Sequence, residues 1–333
     1  MVAKLPQDAD LELLLDCALA HKAENLRNFL TQIDMPRSGT REVLRERLRE
    51  YLSADGQHTL ALTEFLNRIE GWGNQHVYLY DGPSGLTGKW QDENYVKALL
   101  KANGLSRLFN RARPIVLPDQ TTLSSIEWSP QRVRFTWNEK REWLERREDA
   151  DKEEPEEGLI YRAFEEKKAR GTLVFDWSLQ TGAAMLMIQR LPTGTHYASI
   201  RDQMIKSLSP PVDLSTFDVV RVSQAIDPIL RSGEVRERRT RWETTGGGRA
   251  TFTSAGIEKD IRADATLRKM EAAGKGDILG SMANMYWLPK DGGPITGDFH
   301  TFLHRQDQRI GIMGEKAESE VRYVIERIRA HCP

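Results

Sequence analysis

Between Leu159 and Leu191 three apolar runs follow one another, Leu159–Phe164, Thr172–Leu179 and Ala183–Leu191, with very little chain between them. A parallel pair needs a crossover of about a dozen residues or more, and the connectors Lys167–Gly171 and Gln180–Gly182 are far shorter. They predict antiparallel hairpins. A further hairpin is expected from Glu234 to Ser254 around Gly246-Gly-Gly248, and strands near Met282–Leu288, Phe299–Leu303 and Arg309–Met313. Apolar spacing predicts helices over Tyr197–Leu208, Ser215–Leu230, Glu258–Ala273 and Glu315–His331, the first two separated by Pro210-Pro211. Strands in runs, with helices set between them, argue for an α+β domain with a mainly antiparallel sheet and flanking helices.

The first part of the chain has a different character. Residues 11–20 and 59–69 read as helices, and Leu26, Phe29, Leu30 and Ile33 recur at helical spacing, as do Leu44, Leu48 and Leu52. Gly71-Trp-Gly-Asn74 marks a boundary. Beyond it Val77–Tyr80, Ile115–Leu117, Ser125–Trp128 and Val133–Trp137 are expected strands, and Asn94–Lys101 a helix. Residues 139–157 form a charge run in which acids outnumber bases, expected as a solvated helix and loop. The organisation expected is 1–70, a helical module; 71–158, an α/β segment with an acidic linker; and 159–333, an α+β domain.

Composition bounds the function. Of the 333 residues, 39% are hydrophobic and 29% charged, which suits a folded globular chain. No apolar run approaches the ~20 residues of a membrane-spanning helix, and the first residues lack the apolar core of a secretory signal. Two cysteines, Cys17 and Cys332, supply neither a disulfide framework nor a thiolate metal site. A reducing compartment is expected, the cytoplasm or, in a eukaryote, the nucleus. Proteins that coat nucleic acid indiscriminately usually carry a large positive excess, which the net charge of −1 does not supply, so any such contact must come from local basic patches.

One patch sits between the two short helices. Leu26-Arg-Asn-Phe-Leu30, Met35-Pro-Arg-Ser-Gly39, Arg41-Glu-Val-Leu44 and Arg47-Leu48 together resemble the SAP domain, a helix–turn–helix-like module of chromatin and DNA-repair proteins. The resemblance covers residues 21–52, about a tenth of the chain. It implies a contact with double-stranded DNA. One departure is Asp34-Met35 where many members carry Gly-Leu, since aspartate enters a left-handed helix cap less readily than glycine. The residues themselves point the same way. Ser38, Gly39 and Thr40 let the backbone approach a partner at a helix start, where amide groups and the helix dipole favour an anion. Arg37 and Arg41 flank that start, and Arg45 and Arg49 extend it as a basic stripe. Such a stripe grips phosphate without reading bases. The competing reading is a helix cap, with the arginines paired to Glu42, Glu46 and Glu50.

A second basic feature is Val235-Arg-Glu-Arg-Arg-Thr-Arg-Trp242. Strict alternation would put Arg236, Arg238 and Trp242 on one face and Arg239 and Arg241 on the other. It could enter a groove or stack on a base, or be an ordinary exposed hairpin neutralised by Glu234, Glu237 and Glu243. The triple glycine that follows lacks the Lys-Ser/Thr of a phosphate loop. His300 and His304 have metal-ligand spacing but sit in a strand-like run, and are expected to be structural. Glu165-Glu-Lys-Lys168 has the look of a restriction-type nuclease core, which would need a further acid such as Asp81 or Asp176. A charged hairpin end is the simpler reading. The expectation is a non-enzymatic DNA-binding protein with no cofactor and no metal, with a second nucleic-acid or protein contact in the α+β domain. The alternatives are a metal-dependent nuclease and a protein-docking scaffold.

Overall fold

The structure, a computed structural model, describes residues 8–111, 115–154, 158–190, 197–256, 258–274 and 278–332. It divides into two compact units, each assembled from three stretches of chain. Residues 1–68, 112–125 and 136–172 form the first, and residues 69–111, 126–135 and 173–333 the second. No helix of the described residues is long and apolar enough to cross a membrane.

The first unit begins with four helices, α1 (Asp8–Leu19), α2 (Ala23–Gln32), α3 (Arg41–Ala54) and α4 (Gly56–Glu70), the last ending in the second unit. Their apolar positions converge as the spacing predicts: Leu26, Phe29 and Leu30 of α2 and Leu44, Leu48 and Leu52 of α3 are buried with Leu14 and Leu15 of α1. Phe29 packs against Phe65 of α4 at 4.9 Å between ring centroids. Complete burial of such side chains contributes about 1.5–3 kcal/mol each, which is what holds helices this short in place.

The rest of the chain is built mainly on strands. In chain order come β1 (Gly73–Asp81), the helices α5 (Ser84–Trp90) and α6 (Glu93–Ala102), β2 (Thr122–Ser129) and β3 (Arg132–Arg146). Next are β4 (Lys152–Glu154), β5 (Leu159–Tyr161), β6 (Phe164–Ser178), β7 (Ala183–Gln189), α7 (Tyr197–Leu208), β8 (Asp218–Val219) and α8 (Ile226–Arg231). The chain closes with β9 (Val235–Thr244), β10 (Arg249–Thr253), α9 (Ala265–Ala273), β11 (Ile278–Trp287), β12 (Phe299–His304), β13 (Arg309–Glu315) and α10 (Glu318–Ala330). The main sheet runs β10-β9-β11-β12-β13-β1-β7-β6-β3-β2, with β8 beside β1, while β4 and β5 pair separately. The registered pairs are antiparallel, as the short connectors require. The fold is α+β.

On one face of this sheet Val77, Leu79, Met187, Met285, Leu303 and Ile312 meet Val321, Val324, Ile325 and Ile328 of α10 and Ile226 and Ile229 of α8. The other face is covered at its β1–β7–β6–β3 end. There Trp90 of α5, Phe135, Trp177 and Phe217 form a ring cluster with centroids 5.0–5.9 Å apart. Met204 and Leu208 of α7 are buried as well.

Four expectations are corrected. Lys167–Gly171 is not a hairpin connector but the middle of β6, and residues 139–146 are strand rather than helix or loop. Both follow from charges that match across neighbouring strands: Glu142 meets Lys168 at 3.3 Å, Glu145 meets Lys167 at 3.8 Å, and Arg147 meets Glu165 at 2.8 Å. Residues 115–117 form no strand. Ser215–Leu230 is not one helix; Pro228 fits only the first turn, so α8 starts at Ile226. Ahead of it the Asp213 carboxylate accepts from the Ser215 amide at 2.9 Å and closes a short turn.

Candidate nucleic-acid interface

In the first unit the turn from Asp34 to Thr40 sets the geometry. Asp34 takes a left-handed φ of 55°, and the Met35 amide donates to Leu30 O at 2.8 Å, closing α2. The aspartate therefore does adopt the conformation that glycine would take more cheaply. Gly39 has φ 130°, and a Cβ there would lie 2.8 Å from Val43 Cγ1. Its close approach is thus to its own helix. Arg47 reaches back to donate to the carbonyls of Pro36, at 2.8 Å, and Ser38. In the sequence Arg47 is only one half of an Arg-Leu pair; in the fold it holds the turn.

Thr40 caps α3, its hydroxyl accepting from the Val43 amide at 3.5 Å. Glu42 lies in the first turn, and its hydrogen bond with the Thr40 hydroxyl holds its carboxyl below the usual range. Arg37, Ser38, Gly39, Thr40 and Arg41 are exposed. Arg41 donates to Leu19 O at 2.7 Å and His21 O at 3.2 Å, tying it to the end of α1 while its charge stays unneutralised by those partners. Arg45 and Arg49 are different. Arg45 pairs with Glu12 at 2.6 Å and Asp16 at 2.8 Å, and Arg49 with Glu12 at 2.8 Å and Glu46 at 2.5 Å. Hydrogen bonds from Arg49 first, then Arg45, keep the Glu12 carboxyl below its usual range. The stripe is therefore live at Arg37 and Arg41 and muted at Arg45 and Arg49.

In the second unit β9 departs from strict alternation. Glu237 stands opposite Met285 and Arg239 opposite Asn284, so Arg238 is an extra residue with no partner on β11. This bulge reverses the side on which every later side chain emerges. Arg236 is registered with Tyr286, Arg239 with Asn284 and Arg241 with Met282, which share one side of β11. Arg238 donates to the Tyr286 hydroxyl at 3.0 Å and reaches that same side. The expected split of the arginines between two faces is thus corrected: all four share one face. Trp242 goes to the other, 7% exposed and packed against Phe252 at 4.8 Å between ring centroids, beside Ile261 and Leu267.

The rings that accompany the arginines are Tyr286, His300 and Phe302. Tyr286 and His300 stand directly opposite and stack at 4.5 Å with planes 14° apart. His300 Nε2 meets Asn284 Oδ1 at 2.5 Å. Burial, with Arg238 alongside, pushes the His300 imidazole down to about 4, so it is neutral at pH 7. His304 contacts Asp307 at 3.3 Å. Four residues along a strand separate the two histidines by roughly 13 Å, too far to share a metal. Arg236 is paired with Asp298 at 3.0 Å and Arg249 with Glu243 at 3.2 Å. Among the described residues, Arg238, Arg239 and Arg241 have no acidic partner.

The carboxylates nominated for nuclease chemistry are engaged elsewhere. Glu165 pairs with Lys167 at 2.7 Å and with Arg147, and Lys168 with Glu166 at 3.5 Å. Asp81 pairs with Arg329 at 2.6 Å. Asp176, 2% exposed, accepts from Arg132, Arg134 and Arg322, all three of which lie over the Trp72 ring. Burial alone would raise its pKa, but the charges of Arg134, Arg132 and Arg322 outweigh that and lower it. Among the described residues no three His, Cys, Asp or Glu side chains converge as a metal ion would need. No protein-family model matches the chain, and no curated protein is significantly similar to it.

Proposed function

We propose that this chain is a non-enzymatic DNA-binding protein. The SAP-type helical module grips duplex phosphates at Arg37 and Arg41, and the sheet unit adds a second nucleic-acid contact through its arginines. One observation carries the reading. In a chain with 49 acids against 48 Lys and Arg, acids neutralise Arg45, Arg49, Arg146 and Arg147, yet Arg238, Arg239 and Arg241 gather on one face without any among the described residues. Unneutralised arginines on one surface suit a polyanion, and the bidentate guanidinium suits phosphate oxygens.

Two double variants test this on duplexes of unrelated sequence over a range of salt. Arg37→Ser/Arg41→Gln removes the charges of the module while leaving a donor near the α1 carbonyls. Arg239→Ser/Arg241→Ser removes two charges from the sheet. Each pair is expected to weaken every duplex alike and to flatten the plot of log K against log salt by about 0.9 for each phosphate no longer neutralised. Affinity and slope unchanged by Arg37→Ser/Arg41→Gln contradict the module's role and assign it to protein docking instead.

A further inference from the structure

The face carrying the arginines also carries rings whose arrangement a phosphate chain alone would not require. Thr253, Arg239, Asn284, Phe302, Gly311 and His76 stand opposite one another in a line across β10, β9, β11, β12, β13 and β1. Arg236, Tyr286 and His300 form the line on one side of it, and Arg241, Met282, His304 and Arg309 the line on the other. Phe302 packs over Gly311, where a Cβ would fall 1.9 Å from the ring. Glycine at 311 thus makes room for this ring. Phe302 and His300 are half-buried, so each leaves part of its surface to solvent. Arg239, Thr251 and Thr253 are exposed beside them.

A half-buried ring packed on the middle of a sheet, bordered by arginines lacking acidic partners, suits a ligand that offers both a planar face and phosphate. Bases in a duplex bury their faces against each other, so duplex DNA could use this surface only for its charge. Unstacked bases can lie on rings while their phosphates meet arginine. We infer that this face binds single-stranded nucleic acid, with bases stacking on Phe302 and His300 and phosphates held by Arg238, Arg239 and Arg241. This deepens the nucleic-acid reading above and rests on it.

The test measures binding of labelled oligothymidylate, oligouridylate, an abasic oligonucleotide of equal length, and a duplex. The wild type is compared with Phe302→Leu, which keeps apolar packing but removes the ring, and with Arg239→Ser/Arg241→Ser. The expected result is a loss of about ten-fold in affinity for oligothymidylate or oligouridylate in Phe302→Leu, at an unchanged salt slope. Duplex and abasic strands should bind that variant as they bind wild type, because neither offers a free base. The arginine variant should flatten the single-strand slope by about 0.7 for each phosphate it no longer holds. Thermal melting of Phe302→Leu checks that the fold is retained; if it is not, Phe302→Tyr, which keeps a ring, must restore single-strand binding. Phe302→Leu without effect, alongside a weakened arginine variant, overturns the stacking inference and leaves the phosphate grip standing. An arginine variant that loses duplex but not single-strand affinity makes duplex the occupant. Wild-type binding of every probe by both variants sinks this face as a nucleic-acid site altogether.

Discussion

Glu12 restrains the helical module, and replacing it with glutamine is expected to tighten duplex binding. Its two oxygens hold Arg45 at 2.6 Å and Arg49 at 2.8 Å. After Glu12→Gln, Arg45 keeps Asp16 at 2.8 Å and Arg49 keeps Glu46 at 2.5 Å, so the net charge of the cluster rises by one, from −1 to zero. One charge can neutralise at most one additional phosphate. Each such phosphate steepens the salt slope by about 0.9, which for an interaction worth nothing near 1 M salt means about five-fold tighter binding at ~0.15 M and about fifteen-fold at ~0.05 M. The ion pairs that Glu12→Gln breaks are partly open to solvent and each arginine keeps a second acid, so the variant should fold as the wild type does. Fluorescence anisotropy of a labelled duplex across a salt series reads both quantities. A gain that grows as salt falls supports the argument. Unchanged affinity and slope would mean that Arg45 and Arg49 never approach phosphate, and the module would then rest on Arg37 and Arg41 alone.

Asp176→Asn is expected to cost about 3–5 kcal/mol in urea unfolding, because it leaves Arg132, Arg134 and Arg322 around a buried site without its charge. A loss under about 1 kcal/mol would show that the three arginines find other partners. Since the Asp176 carboxyl is depressed below its ordinary 3.8, its stabilisation is full above that pH and lost as pH falls through the lower folded value. The asparagine variant should lack that acid step. Asp34→Gly relieves a left-handed φ of 55° and should raise stability by up to about 1 kcal/mol, read as a higher Tm; a fall would mean that the aspartate side chain does more than tolerate the turn.

The antiparallel sheet was legible where a short connector is real, as at Gln180–Gly182 between β6 and β7, and the hairpin around Gly246–Gly248 closes as β9 and β10 where its turn signal lies. The apolar spacing of α2 and α3 likewise found its core. What escaped depended on partners distant in sequence. Arg45 and Arg49 draw on Glu12, 33 and 37 residues earlier, whereas inspection of the helix itself pointed to Glu42, Glu46 and Glu50. Of those three, Glu46 alone pairs with Arg49 among the described residues. The charge run after Trp137 reads as helix or loop until β6 lines its opposite charges alongside. The bulge at Arg238 shows in residue type only as the doublet Arg238-Arg239, and it decides that Trp242 leaves the arginines. Tyr286, His300 and Phe302 join that face from 44 or more positions downstream of Trp242, so no local pattern connects them with it.

Amide hydrogen exchange with and without nucleic acid tests the central claim most directly. Adding duplex should slow exchange around Arg37–Leu44, and adding a single strand should slow it along β9 and β12, both effects fading as salt is raised. Exchange that is the same at both places with either ligand, at low salt and saturating concentration, would contradict the account.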